Sequence, residues 1–313
     1  MVTDRSGGAR VAILLSTYNG ERFLAEQLAS LAAQTYQDWV LFWRDDGSTD
    51  GTSEVLREFS ASLGPGRSVR VEEGSRIGHT PSFLRVLNAA TAESFDAFAF
   101  ADQDDVWLPD KLARGTNALG TIPVDTPALY CARQVFVDDA LVRIGLSCRL
   151  KRAPGFPAAL TQNVATGCTL MLNRSAARLV SGSQPPPGSY HDWWSYLLVA
   201  AAGGRVLADE KPTVLYRQHA GNLVGAPPSV PRRALAALRR GPGVFMNVFR
   251  QQVVALAEQP HLLSDGSREQ VQAVAASLRG GMLDRMRVLR RTRGLYRQTW
   301  AETLLFRAWF LIG

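Results

Sequence analysis

Three carboxylates stand within four positions, Asp102, Asp104 and Asp105, in the stretch Ala-Asp-Gln-Asp-Asp-Val-Trp at 101–107. In extended chain, side chains repeat every second residue, so Asp102 and Asp104 are expected to point the same way. Carboxylates that close repel unless a cation lies between them. Hard oxygen ligands of this kind suit Mg²⁺ or Mn²⁺, and Mg²⁺ is commonly held by one or two carboxylates together with substrate phosphates. The competing reading is a solvated acidic turn before a helix near Pro109, where Asp is favoured in any case. Two other turns carry related chemistry. Tyr18 offers a flat face for stacking a base, and Asp45 or Asp46 can accept from a ring N–H or from ribose hydroxyls. No G-x-G-x-x-G follows the first apolar run and no P-loop is present, so a nucleotide here must be held through base, ribose and metal. That disfavours a dehydrogenase or a kinase.

These turns need elements to position them. Apolar runs at 11–15, 40–43 and 95–101 (broken only at Asp96) read as strands buried on both faces, with a short strand at 69–71. Helical spacing at 21–34, at 50–59 with Glu54 placed to cap its start, and at 81–92 alternates with them. Such alternation predicts an α/β fold, a mostly parallel, Rossmann-like sheet flanked by helices. The strand carboxyl ends then share one edge, and ligands bind in the crevice there. Three acid-rich or polar turns converging on that edge favour one site over three independent solvated turns.

Further along, 127–137 and 164–173 read as strands, and Gly167 marks a bulge or a close backbone approach. A Pro-rich loop at 184–189 leads into Tyr190-His191-Asp192-Trp193-Trp194, where a helix begins that stops at Gly203-Gly204. Asp192 at this helix start is either an N-cap or a general base that takes a proton from a hydroxyl. His219 follows a strand at 213–216. It is a metal ligand or a structural histidine, and Arg217 beside it could reach a phosphate.

Ser-Thr-Tyr-Asn-Gly at 16–20, Arg-Asp-Asp-Gly-Ser-Thr-Asp at 44–50 and Ala-Asp-Gln-Asp-Asp-Val-Trp at 101–107 resemble, in that order, the successive motifs of the family 2 glycosyltransferases of GT-A fold. The form Asp-Gln-Asp-Asp-Val-Trp, with His191-Asp192-Trp193-Trp194, is similar to their rhamnosyltransferase-like branch. The resemblance spans about residues 10–225. It implies inverting transfer from a nucleotide-sugar, dTDP-rhamnose in that branch, to a hydroxyl of a cell-surface polysaccharide or lipid-linked glycan, assisted by Mg²⁺ or Mn²⁺. Carried over, Thr17, Tyr18, Asn19, Glu21, Asp45, Asp46, Asp102, Gln103 and Arg217 belong to the donor nucleotide site. Asp104 and His219 belong to the metal, and Asp192 is the base. Thr166, Gly167, His191, Trp193 and Trp194 stand on the acceptor side. A UDP-hexose donor is one alternative, and a catalytically silent sugar-nucleotide-binding scaffold another; a base beside a metal ligand disfavours the scaffold, since binding alone needs no base. Relatives often carry Asn at the places of Arg76 and Ser82. Here Arg76 is a phosphate contact or a plain surface arginine.

A hydrophobic content of 46%, with seven Trp and thirteen Phe in 313 residues, fills a sizeable core and excludes disorder over the whole chain. No run approaches the roughly 18 uncharged apolar residues of a spanning helix, and the first residues lack the pattern of a secretory signal. Cys131, Cys148 and Cys168 are odd in number and widely spaced, which suits reduced thiols in the cytoplasm. Charge divides the chain. Residues 230–313 hold fourteen Arg against five acids, whereas 1–229 carry a net −2. A catalytic domain over 1–229, a linker at 225–231 and a basic helical region over 230–313 are therefore expected, with helices at 232–240, 244–257, 270–279 and 282–310. The stripe Val244, Phe245, Val248, Phe249, Val253 and Leu256, and arginines among closing aromatics, suit the surface of an anionic bilayer. Packing on the catalytic domain, or a homodimer contact, is the other reading. No nucleic-acid module is visible.

Overall fold

The computed structural model describes residues 8–72, 75–219 and 241–313. Strands β1 (Val11–Thr17), β2 (Trp39–Asp45), β3 (Ser68–Arg70) and β4 (Ala97–Ala101) run parallel in the order β3-β2-β1-β4. Helices α1 (Glu21–Ala32), α2 (Thr52–Ser62) and α3 (His79–Thr91) make the crossovers. Alternate residues of the central strands enter two separate cores. Ala12, Leu14, Phe98 and Phe100 face one, while Val11, Ile13, Leu15, Ala97, Ala99 and Ala101 face the other. Burial on both faces is why these strands read as unbroken apolar runs.

Beyond β4 the sheet is mixed, not mostly parallel. Strand β8 (Met171–Asn173) runs antiparallel between β4 and β6 (Ala128–Val137), and β6 pairs in parallel with the thirteen-residue β9 (Arg205–Arg217). Strand β5 (Val106–Trp107) lies antiparallel on the end of β9, and β7 (Arg143–Leu146) lies antiparallel on β6. The strand expected at 164–173 shrinks to β8 because a 3₁₀ turn, Gly167–Thr169, precedes it. Helices α4 (Lys111–Leu119), α5 (Arg174–Ser181) and α6 (His191–Ala201) complete this half.

Among the described residues four further helices follow: α7 (Pro242–Glu258), α8 (Asp265–Arg279), α9 (Met282–Arg291) and α10 (Trp300–Ile312). The linker at 225–231 and the helix expected at 232–240 lie outside the described residues. The single helix expected at 282–310 is broken, because the connection between α9 and α10 binds residues 151–161 instead. Gln298 Oε1 accepts from Lys151 N and Arg152 N at 2.8 and 3.0 Å, and Thr161 Oγ1 donates to Tyr296 O at 2.6 Å. Most of the apolar stripe of α7 is used internally, although Val244 at its start is 68% exposed. Met246, Phe249, Val253 and Leu256 are buried in one core with Phe306 and Phe310 of α10 and with α3 and α6.

Candidate active site

Parallel register brings the ends of β1, β2 and β4 to one edge, with Thr17 beside Asp45 and Leu15 beside Ala101. The turns that follow are tied to one another. Thr17 Oγ1 donates to Asp45 Oδ1 at 3.1 Å, and Asp45 also accepts from Ser48 N (3.0 Å) and Ser53 Oγ (2.9 Å). The Gln103 amide pairs with Tyr18 as a strand neighbour would, accepting from its N–H at 2.8 Å and donating to its carbonyl at 3.1 Å. A Cβ at Gly20 would run into that amide and push it off Tyr18. Asn19 N donates to Ser48 Oγ at 2.8 Å, and Glu21 Oε2 accepts from Gly51 N at 2.9 Å. Glu21 thus serves the start of α2 in place of Glu54, which pairs with Arg57 at 2.9 Å. Arg76 lays its guanidinium over the Tyr18 ring at 4.0 Å, covering one ring face.

Two further residues expected at the nucleotide are buried among protein partners. Asp46 is buried in an ion pair with Arg44 and accepts from Ile77 N and Gly78 N, each at 2.8 Å. It holds the loop before α3, and Arg44 reaches on to the buried Ser82 hydroxyl at 3.0 Å. Arg217 is fully buried: its Nε donates to Asp104 O at 2.9 Å, and its other nitrogens reach Glu26 and the Asp139 carbonyl. A buried guanidinium must satisfy its donors, and these partners do so by fastening the acidic turn. Arg217 does not reach outward to a phosphate.

The acidic turn itself departs from the extended geometry. Strand β4 ends at Ala101, and the turn divides the carboxylates. Asp102 gathers with Asp105 and Cys168, their ligand atoms within 4.8 Å, while Asp104 Oδ2 lies 2.8 Å from His219 Nε2. The first group already holds a basic side chain. Lys111 is buried, donates to Cys168 O at 2.7 Å, and sits 3.0 Å over the Trp107 ring. Burial pushes the Asp102 carboxyl up to about 7, Asp104 and Asp192 add to the rise, and Lys111 opposes it. Burial likewise raises Asp105 and lowers Lys111. The second group fits a divalent ion better. Its carboxylate and imidazole are both partly exposed, and their 2.8 Å separation is close to the about 3 Å between neighbouring ligands of an octahedral ion at about 2.1 Å.

Across the crevice, α6 presents Asp192 in its first turn, with Tyr190 in the cap position. Asp192 is therefore not the N-cap. Its Oδ1 accepts from Trp193 N at 2.6 Å and its Oδ2 from Gly167 N at 3.0 Å. Burial pushes its carboxyl up to about 6 against the pull of these bonds and of Asn163. Its charge is among those that raise Asp102, so the two carboxyls lie near one another. Gly167 marks a close approach: a Cβ there would lie 2.8 Å from His191 Nε2 and 3.6 Å from Asp192 Cβ.

Of the acceptor-side group, Thr166 and Trp193 are partly exposed, and Trp193 donates to Ala159 O at 2.8 Å. His191 and Trp194 lie in the core beneath the site. His191 stacks on Phe83 at 4.1 Å, and Trp194 Nε1 donates to Ser183 Oγ at 2.8 Å. Thr166 also borders a cavity of about 140 Å³ shared with Arg133, Gln134 and Cys148. Sites for drug-sized ligands run to about 300–1,000 Å³, so this cavity is too small for one. Reading the residues one by one missed Lys111, because a lysine at a helix start reads as solvated.

A family model described as "Glycosyl transferase family 2" matches residues 12–176. The chain is similar to a dTDP-rhamnosyl transferase, RfbG, of Shigella flexneri, 29% identical over 224 residues that cover 68% of this chain and 74% of that protein. It is also similar, at 32% identity over 102 residues (33% of this chain, 38% of the other), to the UDP-Glc:alpha-D-GlcNAc-diphosphoundecaprenol beta-1,3-glucosyltransferase WfgD of Escherichia coli. Among solved structures, S. aureus TarS 1–349 in complex with UDP-GlcNAc aligns with a TM-score of 0.59 at 16% identity, covering 85% of this chain and 71% of that one.

Proposed function

The chain belongs to glycosyl transferase family 2, a glycosyltransferase of GT-A fold, and from that premise we propose that it moves L-rhamnose from dTDP-rhamnose, with inversion, to a hydroxyl of a polysaccharide or lipid-linked glycan. One observation carries this reading: the Gly167 N–H grips Asp192, and Cys168, the next residue of that turn, lies within 4.8 Å of Asp102 at the ligand atoms, so one turn joins Asp192 to the acidic group. The sugar then lies between them. Asp192 takes the acceptor hydroxyl proton as that oxygen attacks the anomeric carbon and the bond to the diphosphate breaks. Thr17, Tyr18 and Asp45 frame the base, and Asp102 the ribose or diphosphate side. Asp104 and His219 are the residues that would hold Mg²⁺ or Mn²⁺, and such an ion supplies positive charge to the departing diphosphate. Residues 1–229 form the catalytic unit in this reading, with 230–313 built onto it, on the cytoplasmic side of the membrane that displays the acceptor.

The relative named as a dTDP-rhamnosyl transferase supports that donor, and the one named for UDP-Glc supports the second reading, a UDP-hexose donor. Thermal shift separates them, because a donor that binds only the folded state raises its melting temperature. Run against dTDP-rhamnose, UDP-glucose and UDP-GlcNAc, with and without Mn²⁺, dTDP-rhamnose is expected to give the largest metal-dependent rise, together with dTDP release once acceptor is present. A larger rise with a UDP-sugar overturns the donor. Binding with no turnover on any acceptor leaves the scaffold.

A further inference from the structure

Helix α10 is apolar on both faces. Phe306 and Phe310 are buried against α7, yet the outward line is apolar too. It runs Trp300, Ala301, Leu304, Ala308, Ile312, with Trp300 71%, Leu304 56% and Ile312 72% exposed. A helix hydrophobic all round belongs in an apolar environment on every side. The adjoining α9 continues the patch with Met282 and Leu283, 59% and 65% exposed. The two helices lie antiparallel: Arg285 Nη1 reaches the Phe310 and Leu311 carbonyls at 3.4 Å, placing the first turn of α9 beside the last of α10.

The charges around this patch say what covers it. Arg290, Arg291 and Arg293 are exposed at the end of α9. The acids of the pair are engaged on their own helices, Glu302 in a capping box with Thr299 and the half-exposed Asp284 on Arg287 at 2.8 Å, which leaves the arginines in excess. A second copy meeting this face about a two-fold axis would bring in the same excess of arginines over acids. An anionic lipid surface meets both components, and no described helix is long and apolar enough to cross a membrane. We propose that the outer face of α9 and α10 is a docking surface for an anionic bilayer, with Trp300, Leu304 and Ile312 entering the headgroup region and Arg290, Arg291 and Arg293 pairing with lipid phosphates. This deepens the lipid-linked acceptor reading, but its test needs no turnover, so the two can fail separately.

The full chain is sedimented with phosphatidylcholine vesicles and with vesicles that also contain phosphatidylglycerol, at low and at raised salt. Binding is expected only to the anionic vesicles and is expected to weaken with salt. Leu304→Asp, at an exposed position, should abolish it with the melting temperature unchanged. Arg290→Gln with Arg291→Gln should weaken partitioning by about 30-fold, from ~1 kcal/mol per basic residue at an anionic surface. Equal binding to both vesicle types, no binding to either, or a dimer in free solution that Leu304→Asp dissociates would each overturn the proposal.

Discussion

Gly167→Ala should impair turnover while leaving donor binding nearly untouched. The added Cβ would sit 2.8 Å from His191 Nε2 and 3.0 Å from its Cε1. That imidazole has nowhere to retreat, being stacked on Phe83 at 4.1 Å and close to Phe100 at 4.8 Å. The displacement therefore passes to the Gly167 turn, whose N–H holds Asp192 Oδ2. Overpacking of this kind costs about 1–3 kcal/mol, and at ~2–4 °C per kcal/mol the melting temperature should fall by several degrees. A misplacement approaching 1 Å costs about 100-fold in rate. The expected result is kcat down by about 10- to 100-fold with the donor dissociation constant within about twofold, since the donor-side turns are held elsewhere. Nucleoside diphosphate release and calorimetric donor titration measure the two quantities. Gly20→Ala is the contrast, because its Cβ would strike Gln103 and should weaken donor binding first. A Gly167→Ala protein with full kcat and an unchanged melting temperature would refute the idea that this turn positions the base.

Turnover should rise with pH through about 6, because Asp192 must lose its proton to act as a base and burial has raised its carboxyl to that value; kcat already flat at pH 5 would contradict the assignment. His219→Ala should weaken Mn²⁺ binding by about 10- to 100-fold, in line with loss of one ligand or its support, and a titration showing unchanged affinity removes His219 from the metal. Arg217→Met should lower stability by about 1–3 kcal/mol, as expected when a buried donor is removed and the Asp104 and Asp139 carbonyls lose their partner. Its signature is a lower melting temperature with the donor affinity of the remaining folded protein retained, and a selective loss of donor affinity would restore Arg217 to the phosphate.

The parallel half of the sheet was legible because both faces of β1, β2 and β4 are buried, which writes long apolar runs into the sequence. The turns after them were legible for a related reason: chemistry at a sheet edge must begin where such a run stops. Charged residues misled wherever burial reversed their usual role. Asp46 and Arg217 read as ligands of a nucleotide, yet they brace the loop before α3 and the acidic turn. Two-residue periodicity placed Asp102 and Asp104 together, whereas the chain leaves the strand at Ala101 and sends them to different partners. Strand β8 is three residues long and antiparallel, too short for periodicity to show. The break between α9 and α10 has no Pro to signal it, only Gly294 packed on Pro157 far away in the chain. The α7 stripe suited a bilayer as well as a core, and only the packing of Phe306 and Phe310 against it decides for the core.

The role of Asp192 is tested most directly by Asp192→Asn, which keeps the size of the side chain and removes its capacity to accept a proton. Turnover with donor and acceptor is measured alongside calorimetric donor binding on the same protein. The expected result is a rate lower by about 100- to 10,000-fold with donor affinity unchanged. A variant that binds donor normally and turns over at close to the wild-type rate would show that the proton leaves by another route.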